Sequence, residues 1–584
     1  MRIRKIKISN FRNLRNLEVY PAETTVLIGE NNTGKSNLLH ALRLLLDPDA
    51  KRLEYELSEE DINDFARQEG ENSFSITLEI GDLQEHQELE CIFKDCIAQD
   101  EEETYVTIEG KYEPDEEGIY NFKVKVLSPP GRYSDPLPFF DRMRRHIPLY
   151  YLDAVRDAER EMRATGRGAL AQLLSGIELE DVEEDIITHI QNANKALSRN
   201  QDINDLARNI KGLLSPHIPG GEGDISITVA TEDPTQLIKG LRLCLKRQSD
   251  VKAYDMYRHG TGLQNLVLIA MFRHRVFADE RVQPILAIEE PESHLHPQAL
   301  RCLFKDLEGI DRPVLLTTHS PAIVECCNPL GLVRLASADQ SQVRAHQLDR
   351  SQIDGDYLNF LGRMMRSGRA EAFFARAIIV VEGPSDAVAL SAFASQIGCS
   401  LDREGISVIQ ADGNSFLYIQ RSCNSNNFSI PMVVTFDTDA LEKGPGLLKE
   451  AFKAGLIDKK TFDSGKKEAL EFRQKILEGI GWIPVIRNLE EEIARIGYLP
   501  LILEAIDNAG NTPSLVNFLT EKNLEKNANG VAEFINGTKP GKRLKVPIAY
   551  AVANGVEIVG KVPDCFTRAI EKAVELAESG EIAV

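Results

Sequence analysis

Residues 29–36 have the residue types and the spacing of a phosphate-binding loop. They read Gly-Glu-Asn-Asn-Thr-Gly-Lys-Ser, which fits the pattern Gly-x-x-x-x-Gly-Lys-Ser/Thr. Gly29 and Gly34 allow main-chain N–H groups to turn toward phosphate oxygens, and Lys35 can reach the β- and γ-phosphates. The Ser36 hydroxyl can hold a Mg²⁺ ion. The stretch therefore predicts binding of a nucleoside triphosphate, taken here as ATP, with one Mg²⁺.

Two pairs of carboxylates in the second half of the chain could bind further metal ions. Glu382 and Asp386 follow one apolar run, and Asp437 and Asp439 follow another about fifty residues later. Open α/β sheets place functional groups at the carboxyl ends of such buried strands. We expect Asp386 to begin a helix, and Asp437 and Asp439 to point the same way from an extended segment. Four carboxylates cannot stay close without cations, so the pattern predicts two Mg²⁺ or Mn²⁺ ions.

A third acidic pair, Glu289 and Glu290, ends the apolar run 284–288. Glu289 is expected to hold the Mg²⁺ of the nucleotide, usually through water, and Glu290 to polarise the attacking water. His319 ends another apolar run, at residues 315–318. It is expected to sense the γ-phosphate, although a histidine at a strand end is more often structural when taken alone.

Gly260 and Gly262 precede an apolar helix at residues 266–272. This stretch resembles the signature motif of ABC ATPases without its initial serine. Such a motif caps the γ-phosphate of a nucleotide held by a partner subunit, so it predicts a homo-oligomer.

The elements that position these residues can be predicted from the same patterns. Alternating basic and apolar residues at 1–8 predict an amphipathic strand, and residues 25–28 and 37–42 predict a buried strand and a helix around the phosphate loop. The stretch 157–245 has charged, helical patterns without sustained heptads, so a long coiled-coil arm is not expected. A compact helical insert for dimerisation is favoured, and a lid or filler without its own role is the alternative.

Composition sets the limits of the interpretation. A chain of 584 residues, 42% hydrophobic and 27% charged, predicts a globular protein of two to four domains. No run of about 18 apolar residues is present, so no membrane association is expected. Nine scattered cysteines favour reduced thiols and a cytoplasmic location. The net charge of −22 argues against non-specific binding to nucleic acid, but leaves room for a local basic groove at residues 142–146 or 539–545. Solvated surface charge is the alternative for both stretches, and it is favoured for the first.

The first half of the chain resembles the head domains of the RecF, Rad50 and SMC group of ABC-type ATPases. The resemblance covers the phosphate loop, the acidic strand end, the residues Leu-His-Pro at 295–297 and His319, in the order that these ATPases have. It divides this half into an N-terminal part (1–156), the helical insert (157–245) and a C-terminal part (246–370). The nucleotide-binding residues it implies are Arg12, Gly29, Asn31, Asn32, Gly34, Lys35, Ser36, Asn37, Gly260, Gly262, Glu289 and His319.

The second half, residues 371–584, resembles a Toprim domain, which has a Rossmann-like parallel sheet. An ATPase head followed by a Toprim domain resembles the OLD (overcoming lysogenization defect) family of nucleases, and in particular its class 2, Gabija-like branch. This resemblance adds Glu490 and Glu492 as candidate metal ligands, and Lys545, with Lys542 as the fallback, as the lysine that stabilises charge on the scissile phosphate. It also implies DNA as substrate, a helicase-like partner protein and a role in anti-phage defence.

The resemblance implies an ATP-binding, metal-dependent DNA endonuclease that works as a dimer of ATPase heads, or as a tetramer. The expected catalytic residues are Glu382, Asp437, Asp439, Lys545 and Glu290. The expected metal ligands are Ser36, Glu382, Asp386, Asp437, Asp439, Glu490 and Glu492. Two alternatives are a RecF-like DNA repair or clamp ATPase, and a sensor ATPase that scaffolds a separate effector; both would have a Toprim domain that does not cleave.

Overall fold

The computed structural model describes most of the chain, and no helix within the described part is long and apolar enough to cross a membrane. The described residues are 1–100, 103–129, 137–139, 141–154, 157–164, 168–174, 182–197, 199–214, 241–246, 252–276, 282–339, 342–411, 416–442, 444–453 and 455–580.

The strands are numbered in chain order. They are β1 (Arg2–Phe11), β2 (Leu14–Val19), β3 (Thr24–Ile28), β4 (Phe74–Gly81), β5 (Ala98–Gln99), β6 (Thr104–Pro114), β7 (Tyr120–Val126), β8 (Leu137–Pro138), β9 (Leu149–Leu152), β10 (Cys244–Leu245), β11 (Tyr254–Asp255), β12 (Ile285–Glu289), β13 (Val314–Thr317), β14 (Leu332–Asp339), β15 (Gln342–Gln347), β16 (Ala377–Val381), β17 (Ile406–Gln410), β18 (Met432–Asp437) and β19 (Trp482–Val485).

The helices are identified by their bounds. The α-helices are Lys35–Leu46, Ala50–Tyr55, Asp64–Gln68, Gln87–Phe93, Asp141–Arg144, Ala158–Glu161, Ala169–Leu174, Glu183–Leu197, Gln201–Leu214, Thr261–Val276, Pro297–Glu308, Pro321–Val324, Gly355–Met364, Pro384–Gln396, Leu401–Glu404, Phe416–Cys423, Asp439–Glu442, Gly446–Lys453, Lys459–Lys467, Leu470–Gly479, Leu489–Ile493, Leu499–Asn508, Thr512–Glu521, Ala528–Gly537, Lys539–Val559 and Asp564–Ser579. Short 3₁₀ turns are Glu59–Asp61, Leu83–Glu85, Met256–Arg258, Pro329–Gly331, Arg350–Gln352 and Ala370–Phe374, and π-helical turns are Met365–Arg369 and Ala494–Tyr498.

The chain forms two compact units. The first consists of Met1–Arg145 and Phe304–Val584, and the second of His146–Leu303. The first unit therefore contains both the phosphate loop and the two carboxylate pairs of the second half of the sequence, whereas Glu289 and Glu290 belong to the second unit.

An antiparallel sheet with the order β2-β1-β4-β6-β7-β8 begins the first unit, and β5 also pairs with β6. The predicted amphipathic strand is confirmed as β1. Its Ile6 and Ile8 are fully buried and lie opposite Leu78 and Ile76 of β4, while Lys7 between them is exposed. The period-two alternation thus gives this sheet one apolar face.

A second sheet in the first unit positions the phosphate loop. The central strand β3 pairs in parallel with β13 on one side and with β14 on the other, and β15 pairs antiparallel to β14. β3 ends at Ile28, directly before the loop, and β13 ends two residues before His319. Because parallel strands end at the same edge of a sheet, the loop and His319 follow neighbouring strand ends.

The second unit contains the parallel pair β9 and β12, with Leu152 opposite Ile288. All five residues of β12 are buried, so Glu289 ends a strand that is apolar on both faces. The helix Thr261–Val276, called the signature helix below, packs against the short helices Ala158–Glu161 and Ala169–Leu174.

The C-terminal sheet of the first unit has the order β17-β16-β18-β19, and all three strand pairs are parallel. β16 is buried along its whole length. The helix Lys539–Val559, called the lysine helix below, packs against the helix Pro384–Gln396. A core that includes Phe393, Tyr498 and Phe566 joins the helices to this sheet.

One predicted element is wrong. β18 ends at Asp437, and Asp439 begins the helix Asp439–Glu442 instead of continuing an extended segment. The chain turns because the N–H of Thr438 donates to Val485 O and the N–H of Asp439 donates to Arg487 O, both at 3.1 Å. The period-two argument therefore does not apply to Asp437 and Asp439.

The predicted domain boundaries stay predictions. The boundary expected between residues 370 and 371 falls on continuous helical structure, which runs from the helix Gly355–Met364 to the 3₁₀ turn Ala370–Phe374. The described part of 157–245 is mainly helical, as predicted, and residues 215–240 lie outside the described residues. Its proposed role in dimerisation is still an expectation.

Candidate nucleotide site and candidate metal site

The phosphate loop has the backbone shape that its glycines predict. Gly29 has φ 148° and Gly34 has φ 86°, both of which favour glycine. A Cβ on Gly29 would lie 2.3 Å from Leu335 O, so β14 approaches the loop too closely for any side chain there. Gly34 directly precedes the helix Lys35–Leu46, whose N-terminal N–H groups favour an anion.

Lys35 is buried and oriented within the loop. Its Nζ donates to the carbonyl oxygens of Gly29 at 2.9 Å and of Glu30 at 2.8 Å. Ser36, Asn31 and Asn32 are exposed, so a phosphate and its ion could reach them. The carbonyl oxygens of the loop therefore bind the Lys35 ammonium, and the lysine side chain would have to turn to contact a phosphate.

Arg12 belongs to a polar network beside the loop. Its Nε donates to Asp61 Oδ1 at 2.8 Å and its Nη1 donates to Asn37 Oδ1 at 3.0 Å. Asn37 Nδ2 donates to Asn13 Oδ1 at 2.8 Å, and Asn13 Nδ2 donates to Asn32 O at 2.9 Å. The network links Arg12, Asn37 and Asn32, three predicted nucleotide residues, through Asn13, which had not been assigned a role.

His319 lies at the edge of the sheet from which the loop emerges. The N–H of Thr318 donates to Leu27 O at 3.1 Å, which continues the pairing of β13 with β3. His319 follows this bond and is exposed. Its position therefore fits the predicted contact with nucleotide.

The predicted acidic strand end and signature motif are brought together within the second unit. Glu289 is buried at the end of β12, and Glu290 has the left-handed φ of 41°. A Cβ on Gly262 would lie 2.5 Å from His294 O, so the first turn of the signature helix contacts the segment after Glu290. Asn265 Nδ2 donates to the carbonyl oxygens of Ser293 at 2.8 Å and of Pro291 at 3.1 Å.

Gly260 is exposed and precedes the first residue of the signature helix. It is therefore accessible to a ligand from outside the second unit, as the predicted contact with a partner-held nucleotide requires.

The two carboxylate pairs of the second half meet at the carboxyl edge of the C-terminal sheet. Glu382 follows β16, and its Oε1 accepts the N–H of Asp437, the last residue of the neighbouring β18, at 3.0 Å. Asp386 is buried in the first turn of the helix Pro384–Gln396. Asp439 is near enough to act electrostatically on Asp437. Although Asp439 is not in an extended segment, the structure still brings all four carboxylates together.

Glu490 and Lys545 complete the group. Glu490 is buried, and its Oε1 lies 3.3 Å from Lys545 Nζ. No described donor completes a well-aligned hydrogen bond to this oxygen, whereas Oε2 accepts from Asn536 Nδ2 at 3.1 Å. Glu382, Asp386, Asp437, Asp439 and Glu490 are called the acidic cluster below.

The sequence leaves open the choice between Glu490 and Glu492 as metal ligand, and between Lys545 and Lys542 as the lysine of the site, and the members of each pair have different surroundings. The charged groups that act on Glu492 are Arg495, Glu491 and Asp564, none of which belongs to the acidic cluster. Lys542 is exposed, whereas Lys545 contacts Glu490. The geometry thus favours Glu490 over Glu492, and Lys545 over Lys542, as members of the candidate site.

The acidic cluster strongly perturbs its own titration. Burial raises the pKa of Asp386 to about 7, and Glu490 and Glu382 add repulsion. Burial also raises the pKa of Asp437 well above its usual range, and repulsion from Glu382 and Asp386 adds to the rise. Burial alone would lower the pKa of Lys545, but Glu490 and Asp437 outweigh it and raise that pKa. Lys545 thus interacts electrostatically with three carboxylates of the cluster, Glu490, Asp437 and Asp386.

The donor set fits hard divalent cations, because carboxylate oxygens are the ligands that Mg²⁺ and Mn²⁺ prefer. The buried Glu490 Oε1 lies 3.3 Å from the Lys545 ammonium and accepts no well-aligned hydrogen bond from the described residues, so it is an oxygen that a cation could use. However, no group of three or more His, Cys, Asp or Glu side chains among the described residues is close enough to hold an ion as it stands. The cluster would have to close around a metal.

Sequence reasoning missed three asparagines. Asn13, Asn265 and Asn536 hold, respectively, the phosphate loop, the segment after Glu290 and the carboxylate of Glu490. Asn13 follows Arg12 directly, and Asn265 directly precedes the apolar run 266–272, so each is adjacent to residues that the sequence singles out. Asn536 has no local signal, because its partner is 46 residues away.

The chain matches two family models. The model described as AAA ATPase domain matches residues 1–127 and 146–324, which is more than half of the chain. The model described as overcoming lysogenization defect protein-like, TOPRIM domain, matches residues 373–439, which include the first four carboxylates of the acidic cluster. These matches confirm the predicted fold class, an ATPase head followed by a Toprim domain.

Among curated proteins, the OLD nuclease of Thermus scotoductus is 26% identical over 462 residues, which cover 75% of this chain and 82% of that protein. Endonuclease GajA of Bacillus cereus is 22% identical over 467 residues, which cover 76% of each. A solved structure of the C-terminal region of the Xanthomonas campestris OLD protein is 23% identical, covers 35% of this chain and 97% of that chain, and has a TM-score of 0.30.

Proposed function

This chain belongs to the AAA ATPase domain family and to the OLD family of nucleases, and on that premise we propose that it is a divalent-metal-dependent DNA endonuclease that nicks or cuts duplex DNA under the control of its ATP-binding region. The observation that carries the proposal is the acidic cluster, with Lys545 beside it, at the carboxyl edge of a fully parallel sheet. Raised carboxyl pKa values at such an edge are typical of a functional site.

The residues of the cluster have separate roles in this proposal. Bound divalent ions would supply activation of water and stabilisation of the leaving oxygen. Glu382, Asp386, Asp437, Asp439 and Glu490 would hold those ions through carboxylate oxygens, with two ions as the proposed number. Asp386, with a pKa of about 7, could hold or release a proton near neutral pH.

Lys545 would neutralise the negative charge that develops on the scissile phosphate. Glu490 holds its ammonium at 3.3 Å, and Asn536 holds the other oxygen of Glu490. Lys545 is thus oriented before DNA arrives, so little reorganisation is needed at the moment of reaction.

The lysine helix also offers a path for the DNA backbone. Lys539, Lys542 and Lys545 are three residues apart, so each step advances about 4.5 Å along the helix axis and turns by about 60°. Lys539 and Lys542 are exposed, and no carboxylate in the described part of the chain pairs with either. This row leads from Glu490 to the helix N-terminus. We propose that it contacts phosphates on either side of the cleaved bond, despite the net charge of −22.

The ATP-binding region is proposed to regulate the nuclease as a dimer of heads, or as a tetramer. The exposed start of the signature helix supports this, because a signature motif acts on a nucleotide held by another subunit. Light scattering of the full chain with and without ATP would test it.

The likeness to the Gabija-like branch extends the proposal to anti-phage defence with a helicase-like partner. Phage challenge of cells that carry the parent chain or an Asp437→Asn variant would test the role in defence.

A RecF-like DNA repair or clamp ATPase is the second candidate. It is favoured by one observation, namely that no described group of three or more metal-ligating side chains is already close enough to hold an ion. In this case the Toprim domain would bind DNA or a partner without cleaving.

Cleavage of supercoiled plasmid separates the two candidates. The parent chain should produce nicked or linear plasmid with Mg²⁺ or Mn²⁺ and none with a chelator, and parallel reactions should include and omit ATP. Glu382→Gln should not cleave, and Glu471→Gln, an exposed carboxylate on the helix Leu470–Gly479, is the matched control. If the parent binds DNA and ATP but never cleaves, the clamp is the better description.

A further inference from the structure

An ion pair joins the phosphate loop to the start of β16, the strand that leads to Glu382 and is called the nuclease strand below. Arg376 Nε lies 2.7 Å from Glu30 Oε1, and Arg376 Nη2 lies 3.3 Å from Glu30 Oε2. Glu30 is the second residue of the phosphate loop, and Arg376 directly precedes β16. The two residues are 346 positions apart in sequence but belong to the same compact unit.

Glu30 lies where the loop must change when a phosphate enters. Its carbonyl oxygen accepts from Lys35 Nζ at 2.8 Å and from Thr33 Oγ1 at 2.9 Å. The lysine of such a loop contacts the β- and γ-phosphates when nucleotide is bound. Lys35 would then leave the carbonyl oxygens of Gly29 and Glu30, and several negative charges would arrive close to the Glu30 carboxylate. Both changes act on the partner of Arg376.

Arg376 is fixed to the start of the nuclease strand. Its N–H donates to Gly405 O at 2.8 Å, and a Cβ on Gly405 would lie 3.0 Å from Arg376 Cδ. From Arg376 the buried strand β16 runs without interruption to Glu382, the first carboxylate of the acidic cluster. A strand paired on both sides is stiff, so a shift at one end can reach the other.

Other contacts hold the two regions together, so the pair is not needed for docking. Arg334 of β14 is buried, and its guanidinium donates to the carbonyl oxygens of Ser429 at 2.8 Å and of Ala375 at 3.1 Å. Tyr357 Oη donates to Ser422 Oγ at 3.2 Å. By contrast, the Arg376 and Glu30 side chains are 52% and 44% exposed. An exposed pair adds little to stability, so removing it should leave the fold intact.

We propose that the Glu30–Arg376 pair transmits the nucleotide state of the phosphate loop to β16, and thereby sets the position of Glu382. Arg376 is then a positioning residue for the nuclease, and the inference rests on the proposed function for its effect on cleavage. Its effect on the strand does not depend on cleavage. Coupling between two ligand sites is typically about 5- to 150-fold, and an exposed pair should lie near the lower end.

The test compares the full-length parent with Arg376→Ala, Arg376→Lys and Glu30→Gln. Arg403→Ala is the control, since this exposed arginine lies on the nearby helix Leu401–Glu404. The first readout is the ratio of plasmid cleavage rates with and without ATP. The second is amide hydrogen exchange of residues 377–386 with and without ATP, which needs no cleavage. Nucleotide binding by each variant is measured separately, so that a response is compared only at saturation.

The parent and Arg403→Ala should show a change in cleavage rate of about fivefold or more on ATP addition, in either direction, and a change in exchange at 377–386. Arg376→Ala should bring the ratio close to one and remove the exchange change, while Arg376→Lys should keep part of both. Arg376→Ala and Glu30→Gln should not be additive when combined, because each removes the same pair.

A parental response in Arg376→Ala by either readout would overturn the proposal, and so would a parent whose exchange at 377–386 does not respond to ATP. If the parent never cleaves but its exchange responds to ATP only when Arg376 is present, the nuclease assignment fails and the coupling stands.

Discussion

The phosphate loop and the acidic cluster occupy equivalent places in two different sheets, since each follows the carboxyl ends of buried, parallel strands. The loop is built almost entirely from one contiguous stretch, residues 29–36, and offers N–H groups and a lysine to an anion. The cluster is assembled from three separate stretches, around residues 382–386, 437–439 and 490, and offers carboxylates to a cation. The carboxyl edge of a parallel sheet can thus bind an anion or a cation, and the residues that follow the strands determine which of the two it binds.

The two sites also differ in how well their charged groups are compensated when no ligand is bound. In the loop, Lys35 bonds to two carbonyl oxygens. In the cluster, burial and, to a smaller extent, repulsion raise the pKa of Asp386 and Asp437, and Glu490 Oε1 accepts no well-aligned hydrogen bond from the described residues. The difference indicates that the loop can rest without nucleotide, whereas the cluster is strained without protons or cations.

The largest expected effect is the loss of cleavage when a carboxylate of the acidic cluster is replaced, while ATP binding at the phosphate loop is unchanged. Asp437→Asn removes one carboxylate at the centre of the cluster and should lower plasmid cleavage by roughly 10³-fold, since a metal ligand supports several kcal/mol of transition-state stabilisation. ATP affinity should not change, because the phosphate loop is intact. Cleavage assays and binding of a fluorescent ATP analogue would measure both. If cleavage and ATP binding fell together, the two sites would not be separable in this way.

The converse change is at the loop. Lys35→Ala removes the only cation of the loop and should weaken ATP binding by about 100-fold, the equivalent of one or two charge-assisted hydrogen bonds. The stabilisation of the chain by Mn²⁺, followed by thermal melting, should remain. Melting that no longer responds to Mn²⁺ would show that the cluster depends on the loop for its fold.

Acid should affect the two regions with opposite sign. Burial lowers the pKa of His346, on β15 of the ATPase region, to about 4 from the ordinary 6.5, so its contribution to stability is present above pH 6.5 and is lost as pH falls toward 4. Burial raises the pKa of Asp386 from 3.8 to about 7, so the metal-free chain loses stability as pH rises through that range.

Melting of metal-free variants at pH 5 and pH 8 would measure this. His346→Gln should be more stable than the parent at pH 5 and equally stable at pH 8. Asp386→Asn should be more stable than the parent at both pH values, and by a larger margin at pH 8. Each effect should be on the order of 1 to 3 kcal/mol, or a few degrees in melting temperature. Shifts of the same sign with pH in both variants would contradict the assignment.

The smallest expected effect concerns the row of lysines beside the cluster. Replacing Lys539 and Lys542 by alanine should weaken DNA binding by about tenfold near 0.1 M salt and reduce the slope of log K against log salt by about 1.8, the value for two phosphate contacts. Filter binding across a salt series would measure the slope, with Lys572→Ala, on the helix Asp564–Ser579, as control. An unchanged slope would remove the row from the DNA path.

The contrast between the two sites also explains what the sequence could predict. The phosphate loop was predictable residue by residue, because its chemistry is local: β3, the glycines and the helix Lys35–Leu46 are adjacent in sequence. The strands that lead to Glu382 and Asp437 were predictable from apolar runs. The turn at Thr438 was not, because it is fixed by hydrogen bonds to Val485 and Arg487 from a distant segment.

The choice between Glu490 and Glu492 was likewise open from sequence. The helix Leu489–Ile493 begins after the N-cap residue Asn488, which accepts the N–H of Glu491 at 3.0 Å. Three consecutive glutamates then point in three directions: Glu490 contacts Lys545, Glu491 pairs with Arg487 and Arg495, and Glu492 lies near Asp564. Only the register of this short helix distinguishes them, and sequence does not fix it.

Binding of Mn²⁺ to the nucleotide-free chain tests the central claim, that the acidic cluster is a metal site independent of the phosphate loop. Calorimetric titration of the full-length parent, Lys35→Ala and Asp437→Asn at pH 8 should give equal Mn²⁺ binding for the first two and loss of at least one ion for the third. Equal Mn²⁺ binding by all three chains, or loss of binding in Lys35→Ala alone, would contradict the account.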